Sequence, residues 1–558
     1  MSNSPILIVG AGCSGLVLAL TLVQNGISVR IIDKETTPRI GERGSSITPR
    51  TLEVHDFLGT LPDLTVNAIP RPLMLFYGED GTTLVKSIDT SPHIDPTSDK
   101  PHPNPVLLGQ DKQEAVLRSH LTKYNCLVEY GTELRSFQRA DDGVIAHLVK
   151  QSNGQETEEV AKFQYLAGTD GAHSVVRKNL DVSFLGETRE KQNLVVGDIW
   201  VKEGLDGKCW HSWGEPGTKM ISLRATGQTS AEKGYKFSFL SLGLALDHAK
   251  MASGRDSFLE SFIDITKRTD VQFGDLVWIS NYRPNIRMVD AFAKDRVFLA
   301  GDAAHCHTPA GGQGMNSSIQ DAFNLGWKLA LVLKGLSLPS LLESYNQERL
   351  PVIAVMLNLT TGILDKAFTS FTLSGKDDSA FLRSGDLHQL GVNYRHSPII
   401  LDSQNTQSDG KPAVAEVYHA GSGVRAGDRA PDASGFTHLK DADTNAAQRL
   451  FKILGTDHHT LLVYSDGTID HSDILAAVRS HKDVFKTVLV LPSSITQTSE
   501  TGFDFVLQDG ESHLHKNYGV DANHSTVVII RPDAYIGAIG HGVGDVQSYL
   551  DKVLVQTV

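Results

Sequence analysis

The first 33 residues constrain this chain more than any other stretch. A short apolar run, Pro5–Val9, leads into Gly10-Ala11-Gly12-Cys13-Ser14-Gly15, and Leu16–Val23 follows with helical spacing. Gly26 stops the helix, and Ile27–Ile32 alternates into Asp33. Strand, G-x-G-x-x-G turn, helix and a second strand ending in an acid make a βαβ nucleotide-binding unit. The first glycine allows the tight turn, the second lets a pyrophosphate approach the backbone, and the third brings helix and strand together. Free N–H groups at the helix start face the phosphates. Gly10, Gly12, Ser14, Gly15, Asp33 and Lys34 are therefore assigned to the nucleotide. An acid at Asp33 suits an unphosphorylated ribose, as in FAD or NAD.

Two later clusters repeat the strand–turn–helix pattern. Tyr165–Gly168 is followed by Thr169-Asp170-Gly171, and Ser174 and Arg177 face that turn. Arg296–Gly301 reads as a buried strand ending at Asp302. The glycine-rich run Pro309-Ala-Gly311-Gly312-Gln-Gly314-Met315-Asn316 comes next, and a long helix spans Met315–Leu333. Glycines there let backbone lie against a flat ring, and the helix start offers N–H donors and partial positive charge.

With 558 residues the chain has room for three to four domains. Its formal charge of −13, without any basic run, argues against nucleic acid as a partner. The N-terminus enters a strand at once without a leader, and no apolar run reaches about 18 residues. The expectation is a cytoplasmic chain with no membrane contact. None of the four cysteines forms a C-x-x-C pair, and His305 and His307 have no third ligand spaced to join them, so no metal site is expected. Ile69–Pro105 reads as an excursion rather than core. A helix is expected over Gln113–Leu121, with strands around Leu127–Phe137 and Val144–Lys150. Strand-like segments such as Lys236–Leu242 and Leu276–Tyr282 suggest a separate inserted sheet, and the polar stretch Asp402–Gly423 marks a linker. Leu461–Tyr464, Ile474–Val478, Thr487–Leu491 and Thr526–Ile530 then predict a small α/β domain.

In this order and spacing the three clusters resemble the class A FAD-dependent aromatic monooxygenases, which share the para-hydroxybenzoate hydroxylase fold. The run from Gly301 to Leu333 is the most specific, with Asp321-Ala322 and Trp327-Lys328 inside it, and the likeness extends through Tyr345 and Glu348-Arg349. The resemblance implies that the first motif holds the ADP of FAD and that Asp302 holds the ribityl chain. It ties Asp170, with Arg177, to FAD and NAD(P)H. It places Gly312, Gly314, Met315 and Asn316 at the flavin, with Pro309 beside the chemistry. Gly41-Glu42-Arg43-Gly44, ahead of Thr48–Glu53, resembles the stretch whose arginine reaches FAD, here Arg43. Gln110 matches a flavin-contacting glutamine.

Arg425–Pro431 and Arg531-Pro532-Asp533 are similar to the borders of the thioredoxin-like domain of the phenol hydroxylase branch. That domain contains no cysteine here and cannot exchange disulfides, so a scaffold role or a homodimer contact is expected. The implied fold is α/β, a Rossmann-type FAD-binding domain over 1–190 and 286–400. A substrate-binding β-sheet spans 65–105 and 190–285, a linker 401–423, and a thioredoxin-like domain 424–558. The implied reaction uses NADPH or NADH, FAD and O2 to hydroxylate a phenolic or polyketide-like aromatic through a C4a-hydroperoxyflavin. A Baeyer–Villiger or epoxidising reaction on the same fold, or a non-catalytic flavin-binding protein, are the alternatives. Phenol hydroxylases carry an aspartate at the position of Ser45, and Tyr282 matches their substrate-binding tyrosine.

Overall fold

The computed structural model describes residues 4–555 apart from 153, 191, 370, 372, 374, 376, 405–413, 420, 422, 440–447, 499–500 and 522–524. Its central sheet has the order Ala293–Lys294, Val297–Leu299, Tyr165–Gly168, Ile6–Val9, Val29–Asp33, Val128–Tyr130. All but the first strand run parallel. Ile6–Val9 is apolar without alternation because helices cover both faces of the sheet. The register sets Val9 beside Gly168 and Gly168 beside Leu299. The three motif turns therefore leave the sheet side by side at the carboxyl ends of adjacent strands, where open α/β sheets bind ligands.

Helix α1 (Cys13–Gln24) starts in the glycine loop, three residues before the expected Leu16. It packs between α2 (Gln110–Thr122) and α3 (Gly314–Leu333). A Cβ on Gly326 would stand 2.7 Å from Thr21 Cγ2, so the contact between α1 and α3 requires glycine there. Helix α2 starts at Gln110 rather than Gln113, its first N–H donating to Glu42 O across the fold at 3.0 Å. The strand expected over Leu127–Phe137 breaks at Gly131, whose φ of +68° turns the chain between Val128–Tyr130 and Thr132–Ala140.

A seven-stranded sheet covers the carboxyl ends, in the order Gln272–Tyr282, Leu194–Glu203, Gly234–Leu242, Met220–Ser230, Trp210–Gly214, Met74–Tyr77, Leu84–Ile88. The helix Arg255–Thr266 packs Phe258 and Phe262 onto one face, against Phe237 and Phe239. The reading of Ile69–Pro105 as outside the core is corrected here. Met74 and Phe76 are fully buried in this sheet, and Met74–Tyr77 pairs with Trp210–Gly214.

Helix α4 (Glu343–Thr369) crosses beneath. The segment Pro339–Thr369 has an 18-residue window of mean hydropathy 1.3, of which 28% is buried, and by length and composition it could cross a membrane. No uninterrupted apolar run of about 18 residues occurs in it, because Asn358, Thr360, Thr361 and Asp365 break it.

In the C-terminal region Phe485–Pro492, His459–Tyr464, Thr526–Ile530 and Ile536–Gly540 lie adjacent in that order. The first pair is parallel and the others antiparallel, with the helices Ser472–Val478 and Val543–Val553 flanking them. The same seven-stranded sheet continues past Phe485–Pro492 through Phe505–Asp509 and Thr437–His438. Leu401–Asp402 pairs with Ile536–Gly540, so the expected linker starts as a strand of this sheet; its residues 405–413, 420 and 422 lie outside the described ones. Arg531 joins this region to the rest, donating to Glu348 Oε1 and Oε2 at 2.8 and 2.9 Å with both side chains fully buried. Lys328 Nζ donates to the same carboxylate at 2.8 Å.

Candidate active site

The three motif turns open into one cavity of about 600 Å³ that runs from the central sheet to the seven-stranded one. At one end lie Gly10, Gly12, Ser14, Asp33 and Lys34. Helix α1 has no side-chain cap, so its first N–H groups are left for whatever enters. A Cβ on Gly12 would meet nothing nearer than Glu114 Oε1 at 3.8 Å; the space before the loop is open. Gly10 holds φ +103°, a left-handed value that glycine alone adopts readily. Gly15 does not line the cavity: a Cβ there would stand 2.0 Å from Gly10 O, so this glycine serves helix–strand packing. Asp33 Oδ2 accepts from Ala11 N at 2.8 Å and Oδ1 from Glu35 N at 3.0 Å, which fixes the loop to the strand end.

Asp170 Oδ2 accepts from Val175 N and Val176 N at 2.7 and 3.2 Å, while its buried Oδ1 has no partner. Burial pushes this carboxyl up. Arg177 does not line the cavity. It donates to Ala303 O at 2.9 Å and Ala172 O at 2.7 Å and so ties the Asp170 turn to the Asp302 turn.

Arg43 and Gln110 line the middle of the cavity. The Arg43 guanidinium lies 5.1 Å from the Trp278 ring, and the residue itself takes φ +41°. Asp198 Oδ2 anchors the loop from beneath, accepting from Glu42 N at 2.8 Å and Trp278 Nε1 at 2.6 Å. A Cβ on Gly41 would overlap Trp278 Nε1 at 2.2 Å. Burial raises the Glu42 carboxyl to about 7, although Lys236 stands 3.6 Å away.

Asp302 faces the cavity, and among the described residues its carboxylate has no hydrogen-bond partner. The turn that carries it is held rigidly. Asp321 Oδ2 accepts from Gly301 N at 3.1 Å and contacts His305 Nε2 at 2.8 Å; Asp321 Oδ1 accepts from Arg349 Nε at 2.7 Å. Asp321 is fully buried, and Arg349 and His305 keep its carboxyl below the usual range despite that burial. His305 thus spends Nε2 on Asp321, and His307 Nδ1 contacts Thr308 O.

Pro309, Gly312, Gly314 and Met315 line the cavity beyond Asp302. Gly311 and Gly312 hold φ +78° and +67°, and α3 begins without a side-chain cap. Asn316 is buried and lies off the cavity. It accepts from Thr48 N at 2.9 Å and donates to Ser46 O and Gly312 O at 2.8 and 2.7 Å, and so braces the loop. Tyr282 lines the cavity with its hydroxyl donating to His307 O at 2.9 Å. Burial and the nearby Asp302 charge keep it a neutral phenol.

These residues fit FAD. The space is long and glycine-edged, two uncapped helix starts open into it, and the Asp302 carboxylate waits without a partner. The opposite wall comes from the sheet that the sequence assigned to the substrate over 190–285, although no motif singled out its residues. Leu194, Val196, Leu240 and Leu242 make it apolar from the sheet, and Ile363 and Phe381 close it from α4 and the loop beyond. Arg71, Arg224 and Arg383 also stand there, Arg224 donating to Ser45 Oγ at 2.6 Å.

Residues 3–360 match the family model described as an FAD binding domain. Residues 502–558 match the phenol hydroxylase C-terminal dimerisation domain. A flavin-dependent monooxygenase of Mycobacteroides abscessus is 32% identical over 98% of this chain and all of its own length. Pentachlorophenol 4-monooxygenase of Sphingobium chlorophenolicum is 27% identical over 96% of this chain and 94% of its own. Among solved structures, aklavinone-11 hydroxylase with FAD and aklavinone superposes with a TM-score of 0.75 at 21% identity, covering 99% of each chain. The flavin-dependent monooxygenase PieE with FAD and substrate gives 0.77 at 18% identity, covering 98% of each.

Proposed function

Because the chain belongs to the flavin-dependent monooxygenases built on the FAD binding domain, we propose that it hydroxylates a phenolic or polyketide-like aromatic compound with electrons from NAD(P)H. One observation carries this reading: a single cavity joins the glycine loop at the sheet's carboxyl ends to an apolar wall built by a different sheet. A flat aromatic held on that wall faces the end where Pro309 and Gly312 stand. The relatives named for pentachlorophenol and for tetracenomycins fit such a substrate.

When bound, FAD would supply the redox chemistry between NAD(P)H and O2. The chain's own residues bind, orient and exclude water. The uncapped start of α1 and the strand-end acid Asp33 hold the nucleotide portion, and Asp302 accepts from the chain of hydroxyls between the two ends. Leu194, Val196, Leu240 and Leu242 keep water from the reacting ring. Tyr282 donates its hydroxyl hydrogen to His307 O, so its oxygen is left to accept a hydrogen bond from a substrate hydroxyl and orient the ring. The C-terminal region supports a homodimer through the segment that matches the dimerisation domain.

The test is NADH and NADPH oxidation by the FAD-loaded protein with phenols, hydroxynaphthoquinones and cyclic ketones under ¹⁸O₂. The expected product carries one ¹⁸O as a new ring hydroxyl. Ring-expanded lactone, or oxidation that no aromatic compound stimulates, overturns the reading. Light scattering after gel filtration should give twice the 60.7 kDa chain mass; the single chain mass removes the homodimer.

A further inference from the structure

The wall facing the glycine loop carries three guanidiniums and no acid. Arg71, Arg224 and Arg383 all line the cavity. Arg71 donates to Thr90 Oγ1 and to Ser46 Oγ, both at 3.1 Å. Arg224 donates to Ser45 Oγ, and Arg383 NH1 donates to the carbonyls of Ala380 and Leu382 at 3.0 and 2.9 Å. These partners are neutral; among the described residues none of the three arginines forms an ion pair. Thr90 fixes two of them together, since its carbonyl accepts from Arg383 N at 2.7 Å. Trp210 links Arg71 to the third, with Arg71 and Arg224 at 5.8 and 5.9 Å from its ring.

The charges feel one another. Burial, then Arg383 and Arg224, push the Arg71 guanidinium well down, and burial alone brings Arg383 to about 10. Arg224 has the charges of Glu42 and Asp198 at longer range behind the wall, which offset part of its burial. Arg71 and Arg383 have no such compensation. Like charges set together away from water are costly unless an anion neutralises them. The planar guanidinium fork matches a carboxylate, and Leu240, Leu242 and Phe381 beside it suit an aromatic ring.

We infer that the aromatic substrate of this enzyme carries a carboxylate, held between Arg71 and Arg383 with Arg224 at its side. The inference rests on the monooxygenase reading and adds the charge that the substrate must bring. Ser45 and Ser46 contribute hydroxyls to the cluster but no negative charge, so the anion has to come with the ligand.

The test uses FAD-loaded protein titrated with benzoate, 2-naphthoate and anthraquinone-2-carboxylate, each paired with its carboxamide. Binding is read both as perturbation of flavin absorbance and as a rise in melting temperature. Carboxylates should bind at least about tenfold tighter than the amides, a difference of about 1.4 kcal/mol. Arg71→Met and Arg383→Met should each erase that preference, with Arg71→Lys and Arg383→Lys restoring part of it. Ser45→Asp keeps all three arginines and supplies an internal carboxylate to Arg224, so it should lower carboxylate affinity without loss of fold. Amides binding as well as acids, neither binding, or a preference that survives in both methionine variants overturns the inference. So does a raised KM for NADPH in those variants with carboxylate affinity unchanged, which would assign the arginines to the co-substrate. Neutral phenols hydroxylated with no carboxylate preference would sink this inference alone. Failure of every aromatic to stimulate NAD(P)H oxidation would sink the monooxygenase reading, with the binding preference measured independently.

Discussion

Asp302→Asn separates cofactor binding from folding within one residue. The carboxylate faces the cavity at the end of the buried strand Val297–Leu299, and among the described residues nothing donates to it. Asn fills the same volume, so the folded protein loses no internal hydrogen bond, and the stability change should stay within about 0.5 kcal/mol, as for ordinary surface positions. A ligand hydroxyl that donates to the carboxylate makes a charge-assisted bond worth about 1.5–3 kcal/mol. With 1.4 kcal/mol per factor of ten, FAD affinity should fall by about ten- to a hundredfold. Equilibrium dialysis of FAD against wild type and variant measures the affinity, and the melting curve of FAD-free protein measures the fold. The variant supplies a second reading, because burial, and after it the Asp302 charge, hold the Cys306 thiol up at about 12 and so slow its reaction with a disulfide reagent. Removing that charge should speed the reaction at fixed pH. Unchanged FAD affinity with a lowered melting point would refute the assignment and make Asp302 a support of its own turn.

Arg531→Met leaves the fully buried Glu348 with Lys328 as its one remaining cation among the described residues. Breaking a buried pair by removing one partner costs about 3–5 kcal/mol, so the C-terminal region should loosen first. Limited proteolysis should then release a C-terminal fragment that wild type protects, and an unchanged digestion pattern and melting curve would show that Arg531 is not the lock. Glu42→Gln tests the opposite sign of linkage. Its folded value near 7 lies above the ordinary carboxyl value of 4.5, so the folded chain holds the proton where the unfolded chain has lost it. Wild-type stability should therefore fall by about 3 kcal/mol as pH rises from 4.5 through 7, and the Gln variant, which still accepts from Gln228 Nε2, should lack that slope. Denaturant unfolding at pH 5 and pH 8 with saturating FAD measures both, and parallel pH profiles would remove Glu42 as the source.

The nucleotide half of the site was legible because local chemistry wrote it contiguously. A strand, a glycine turn and a helix occupy 19 consecutive positions, Ile6–Gln24, and only glycine tolerates the close approach at Gly10 and Gly15. The register that brings Gly10, Asp170 and Asp302 together is not local, yet each turn carried its own signature at the end of its own strand. Gly15 and Asn316 were placed at the cofactor because they belong to those signatures, and the fold uses both from one layer below. Gly15 gives room to the loop backbone, and Asn316 ties residues 46, 48 and 312 into one shape. A motif records what the loop needs in order to hold its shape as much as what the ligand touches.

In the substrate half the sequence marked the sheet over 190–285 and Tyr282 but not the arginines of the wall, for the converse reason. Arg71 comes from a loop between Pro70 and Pro72, Arg224 from the middle of a strand, and Arg383 from the chain beyond α4. No spacing links positions 71, 224 and 383, and each alone reads as an ordinary cation. The sequence assigned 65–105 to this sheet without resolving the strand Met74–Tyr77, since four residues flanked by prolines and a polar stretch give no period to count, and its place is decided by pairing with Trp210–Gly214. What distinguishes the arginines is a property of the assembled cavity: three half-buried positive charges lining one cavity whose direct partners are all neutral. The nucleotide can be recognised by a turn because every such enzyme binds the same phosphates through the same backbone. A substrate that differs from one enzyme to the next has to be recognised by side chains gathered from separate segments, and its charge becomes readable when the balance of that cavity is counted.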